Sequence, residues 1–255
     1  MMDLFYRLLI FTLALVFILV TYLLKNNNNT SAIIVLIISV ILLIWKCQKF
    51  SINIKNNSVY PIEFSHISYF VLSIIAILGL KPLYLFGGSC GLISGIGYYI
   101  TFFISPQVMQ QTMTTPILNK GLISHSFLFF AGLLLIFNIK KFKIKEYYFS
   151  FIGLSLIYLY GFLALNKIIF PNAKSSNYVF LNFLSAYYLS YLTGTINNPL
   201  YLKVIFVIFT FIVVSSTTYL FYILNQKFKT TKDAKINGIF TFFELYKLKN
   251  RKENI

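Results

Sequence analysis

Apolar runs recur along the chain with little between them. They predict helices near 4–24, 31–46, 64–80, 83–104, 121–139, 147–166 and 199–224. A membrane crossing needs about 20 apolar residues, and most of these runs are close to that length. The third and fourth runs nearly touch at "GLKPLY", where Lys81-Pro82 interrupts the helix because proline offers no backbone N–H. Segment 178–192, "YVFLNFLSAYYLSYL", is apolar but carries Asn182, Ser185 and several tyrosines. The pattern predicts an all-α polytopic membrane bundle of about seven helices, with no polar stretch long enough for a second domain.

Composition fits that medium: 58% of residues are hydrophobic and 11% charged, against roughly 25% charged in soluble domains. The net charge of +16 does not indicate nucleic acid, because the lysines fill gaps between apolar runs and the tail. That placement suits topology determinants and attraction to anionic head groups. The densest clusters are "KKFKIKE" (140–146) and the tail after Leu224. Both belong on the cytoplasmic side, which requires an even number of crossings between them. Segment 178–198 is therefore expected to be re-entrant or surface-lying, with the N-terminus outside and the C-terminus cytoplasmic. Lys46, Lys49 and Lys55 then fall in an external loop, 46–60. In the tail, 225–255, aromatic residues interleave with lysines and predict an interfacial helix on anionic lipid.

Cys47 is expected in a loop and Cys90 in a helix, so no disulfide is predicted, and no spacing suggests a metal or cofactor. The first apolar run lacks a small-residue cleavage pattern and is expected to be retained.

Chemistry concentrates in a few places. Gly87, Gly91 and Gly95 fall four apart and form a flat ridge for close helix packing rather than a phosphate loop. Gly121, His125 and Gly132 share a helix face, which turns the histidine toward neighbouring helices. In "PIEFSHIS" (61–68), Glu63 and His66 sit three apart with Ser65 between them. Glu63 also suits the first turn of a helix entered through Pro61. A hydroxyl nucleophile needs a base within reach. His66 diverges from its neighbour Ser65, so His125, arriving from another span, is the better candidate base.

"YPIEFSHIS" resembles the Leu-Pro-Leu-(Glu/His)-Leu-Cys-(Ser/Asp) signature of the YwaF family of bacterial integral membrane proteins. "ISPQ" (104–107), "GLISHSFLFF", "SSNYVFLN" (175–182) and "NNPLYL" (197–202) resemble further landmarks of that family, in the same order. The resemblance implies a bundle of about seven helices. Eukaryotic relatives act as phospholipid acyltransferases with a cysteine nucleophile and a histidine. Carried onto this chain, the cysteine position falls on Ser65 and the histidine on His125. Three positions depart: serine for the cysteine, His66 for Ser or Asp, and Ser126 for a glycine.

The expectation is a membrane enzyme of lipid acyl transfer or ester hydrolysis. Ser65 would be nucleophile, His125 base, and Glu63 or His66 an orienting or charge-balancing group. The alternatives are a transporter using Glu63, His66 and His125, and a structural membrane protein whose polar groups only fix packing.

Overall fold

A computed structural model describes residues 2–55, 64–104, 120–165, 200–229, 233–236 and 238–241. Its helices are α1 (Met2–Leu23), α2 (Asn28–Lys55), α3 (Phe64–Leu78), α4 (Tyr84–Ile104), α5 (Lys120–Leu134), α6 (Ile144–Leu165) and α7 (Leu200–Phe228). Each predicted run falls on one of them, and no strand occurs among the described residues. Five stretches, Leu4–Asn26, Asn28–Ile52, Lys81–Ile104, Gly121–Ile139 and Ile208–Phe228, are long and apolar enough to cross a membrane. The chain is an all-α bundle suited to a membrane. Its outer face carries exposed Leu8, Phe11, Ile44, Ile152, Leu156 and Ile212.

Helix α4 is the axis. Tyr84 through Gly95 are buried without a break, because α3, α5, α6, α7 and α1 all pack on this helix. Its glycines allow that. A Cβ on Gly91 would stand 2.3 Å from Leu72 of α3, and one on Gly95 would stand 2.5 Å from Phe129 of α5. The reverse contact exists too: a Cβ on Gly132 would meet the Leu92 backbone nitrogen at 2.6 Å. The glycine ridge expected from the sequence is a packing surface.

The turns follow from local chemistry. "NNNN" supplies an N-cap, since Asn27 Oδ1 accepts the Thr30 N–H at 3.3 Å. Helix α3 ends at Gly79, whose φ of 68° is left-handed. There the Leu80 N–H reaches the Ile75 carbonyl at 3.0 Å and the Gly79 N–H reaches Ala76 at 3.3 Å, the paired bonds of a Schellman cap. Lys81–Leu83 then forms a 3-10 turn into α4, with the proline at the helix start. Helix α5 widens into a π turn over Leu135–Ile139. At the start of α6, Glu146 Oε2 accepts the Lys143 N–H at 2.7 Å, while Oε1 pairs with Lys140 Nζ.

These turns gather at one end of the bundle, which buried amides hold together. Asn138, in the π turn, donates to the Thr21 carbonyl at 2.9 Å and to Ser31 Oγ at 3.2 Å. Asn225 of α7 donates to the carbonyls of Ile136 (2.6 Å) and Lys140 (2.9 Å) and accepts the Phe142 N–H (2.9 Å). Lys25, Lys81, Lys140, Lys141, Lys143, Lys145, Lys227, Lys229 and Lys235 lie at this basic end.

One expectation is corrected and one is extended. Helix α2 does not stop at residue 46; it continues to Lys55, so Lys46, Lys49 and Cys47 are helical rather than in a loop. The chain continues helically because Lys46 finds aromatic faces rather than bare hydrocarbon, as described below. The tail does more than lie on a surface. The Ala234 N–H bonds the Ile139 carbonyl at 2.8 Å, and the Lys235 N–H bonds Asn29 Oδ1 at 2.8 Å. A Cβ on left-handed Gly238 (φ 80°) would stand 2.6 Å from the Gly79 nitrogen, so that turn lies directly on the α3 cap. Segment 178–198 and the tail beyond 241 fall outside the described residues.

Candidate functional site

Three consecutive α5 residues, Ser124, His125 and Ser126, each meet a different partner. Successive helical residues diverge by about 100°, so this triplet engages two neighbouring helices at once. Ser124 Oγ lies 2.9 Å from the Tyr69 hydroxyl of α3. Ser126 Oγ lies 2.7 Å from the Tyr99 hydroxyl of α4. Between them, His125 Nδ1 faces Ser94 Oγ of α4 at 3.5 Å. Tyr98, one turn beyond Ser94, stacks on the imidazole with centroids 4.1 Å apart and planes within 11°. The Tyr69 ring stands edge-on to it at 5.6 Å. His125 points into the bundle, as the Gly121–His125–Gly132 spacing predicts, and part of its surface stays accessible.

Tyr69 links this group to α2. Lys46 Nζ sits 3.9 Å from the Tyr69 ring centroid and 4.9 Å from that of Trp45. Lys46 is only 4% exposed, and no carboxylate pairs with it among the described residues. A charge at mid-membrane costs about 2.5–3.5 kcal/mol on insertion scales, and a desolvated cation–π contact returns about 2 kcal/mol. The aromatic faces therefore offset much of that cost.

The residues singled out in the sequence separate. Ser65 and His66 lie in the first turn of α3 and are partly exposed. Ser65 stands one helical turn from Tyr69, on the same face. The His66 ring is edge-on to Phe50 of α2 at 4.9 Å, and Lys46 and His66 both lie within electrostatic reach of His125. The hydroxyl bonded to His125 is that of Ser94, not Ser65. Glu63 falls outside the described residues.

Lys46, Tyr69, Ser94 and Tyr98 were not among the expected site residues. Tyr98 and Ser94 are four apart, on a face that meets His125, and that spacing was the available signal. Lys46 gave none, because it ends an apolar run and so resembles a boundary. No three His, Cys, Asp or Glu residues cluster to hold a metal among the described residues. Comparison with family models, curated proteins and solved structures returns no match.

Proposed function

We propose that this membrane protein acts on membrane lipids by acyl transfer or ester hydrolysis, with His125 as general base. The observation that carries the reading is the setting of His125. One ring nitrogen faces a buried serine, a tyrosine clamps its plane, and part of its surface is accessible. A base whose second nitrogen is oriented by another group is the arrangement that activates a hydroxyl. Ser94, 3% exposed, is the orienting group. In the tautomer this reading requires, Nδ1–H donates to Ser94 Oγ and the other nitrogen takes up the proton.

The nucleophile is Ser65, which is accessible and stands where the YwaF-like resemblance places the reacting cysteine. Its oxygen attacks an ester carbonyl of the lipid while its proton passes to His125. The lysolipid alkoxide leaves with that proton, and the acyl-serine is resolved by an acceptor hydroxyl or water. The hydroxyl that faces His125 in this state is that of Ser94. Catalytic contacts are often long without substrate and close in the complex.

The orientation follows the lysines: the basic end faces the cytoplasm and the His125 end faces outward.

The test uses the full chain in vesicles of phosphatidylglycerol with labelled acyl chains, followed by mass spectrometry of lysolipid and acyl exchange. His125→Ala should lower turnover by about 100-fold or more, the usual share of a general base. Ser65→Ala should abolish the acyl-protein adduct, and Ser94→Ala should slow turnover less than either. Turnover unchanged in His125→Ala, or none in the folded wild type, overturns the reading.

A further inference from the structure

We infer that Lys46 is the anchor of a binding site for the phosphate of an anionic membrane lipid, with His125 against the same Tyr69 ring. This deepens the reading above by naming the charged part of the substrate, and binding can be measured without turnover. Lys46 is a built element rather than a surface charge. Its ammonium is enclosed by the Tyr69 and Trp45 rings, and it is buried against neighbouring helices. No carboxylate faces it among the described residues. Tyr69 is itself fixed through its hydroxyl to Ser124, so the ring under the ammonium cannot swing away without breaking that bond.

Depth selects a lipid. Ser31 and Asn138 are hydrogen-bonded and so share a level at the basic end. Lys46 follows Ser31 by fifteen residues of helix, about 22 Å at 1.5 Å per residue. His125 precedes Asn138 by thirteen residues, about 20 Å by the same rise. The two groups therefore meet at one depth, roughly two thirds of the way across a ~30 Å hydrocarbon layer. That lies about 8–10 Å short of the far interface, where a lipid drawn in from the head-group layer can reach and bulk solution cannot. Lys49, exposed one turn further out on α2, marks an approach from the head-group layer. The aromatic surroundings of Phe50, Trp45 and Tyr98 suit the apolar remainder of a lipid. The same phosphate chemistry could be supplied by the free anion, and the site's depth favours the lipid.

The test is native mass spectrometry and titration of the full chain, in a neutral detergent, with short-chain phosphatidylglycerol. Parallel arms use uncharged diacylglycerol and inorganic phosphate. The expected result is saturable retention of phosphatidylglycerol that Lys46→Met weakens about tenfold or more, as loss of a charge-assisted bond does. Lys46→Arg should hold it within about threefold, since the charge remains. Lys141→Gln should leave this binding unchanged, which separates it from attraction to the basic end. Equal binding by wild type and Lys46→Met overturns the proposal, as does equal loss in the Met and Arg variants. Competition by millimolar inorganic phosphate with no lipid retained assigns the site to the free anion and overturns the lipid assignment. Intact Lys46-dependent binding without any turnover sinks the enzyme reading alone.

Discussion

The two ends of this bundle are built on opposite principles. At the basic end, side chains answer backbone groups: Asn138, Asn225 and Glu146 each close a carbonyl or N–H beside a helix end, and Asn29 accepts the Lys235 N–H of the tail. At the other end, side chains answer one another. Tyr69 meets Ser124, Ser94 meets His125, and Lys46 rests on rings. The first arrangement leaves little spare bonding capacity and holds helices in place. The second keeps a cation, an imidazole and hydroxyls with capacity for another partner. Backbone-closing contacts and side-chain clusters are thus separated along the bundle axis.

That contrast can be broken most forcefully at Asn225. Asn225→Leu strips one buried and one part-buried carbonyl, and a buried N–H, of their partner. Each such loss costs about 1–3 kcal/mol in soluble proteins and less between membrane helices, so a net loss of about 2–4 kcal/mol is expected. Reversible unfolding in mixed micelles measures it. Next comes Gly95→Ala, whose methyl must push against the Phe129 backbone at 2.8 Å. Overpacking of this kind costs about 1–3 kcal/mol. Because Ser94 is adjacent, the same variant should also part Ser94 from His125, which lowers turnover as well as the melting temperature.

A smaller effect is expected for Glu146→Gln, which keeps the cap to Lys143 but removes the charge facing Lys140. About 1 kcal/mol is a fair magnitude for a pair with one partly exposed member. A further test uses pH. Burial pulls Lys229 down from 10.5 to about 8, against the opposing pull of Asp233. The unfolded chain then binds the extra proton between those values, so stability should rise from pH 8 toward 10.5. A Lys229→Met variant should flatten that rise, and an unchanged pH profile would contradict the assignment. The smallest change in stability is expected at Lys46. Lys46→Met should leave it within about 1 kcal/mol or raise it, since an apolar group replaces a buried charge. A large destabilisation there would erase the distinction between the two ends.

Much of the scaffold was legible from hydrophobic runs. The α4 and α5 spans were found because charge or proline bounds them, and the glycine spacing correctly turned His125 inward. Helix α2 was cut short because a window of composition registers Lys46 as a stop. It cannot register a tyrosine on α3 that makes the lysine tolerable. Ser94 escaped for a similar reason, since a serine among glycines resembles packing until its partner helix is known. Ser65 was chosen through a resemblance, and the structure adds its position one turn from Tyr69. Function requires contacts between distant positions, and local pattern carries those poorly.

The Lys235–Asn29 bond joins positions 206 residues apart, and with it the Gly238 turn lies on the α3 cap. During synthesis Asn29 is made early and must wait for the tail to emerge. The basic end therefore closes as a late event of biogenesis, after helices α1 to α7 have been inserted. Until then Asn29 and the Ile139 carbonyl lack their tail partners, and a chain ending before residue 234 would leave both unanswered.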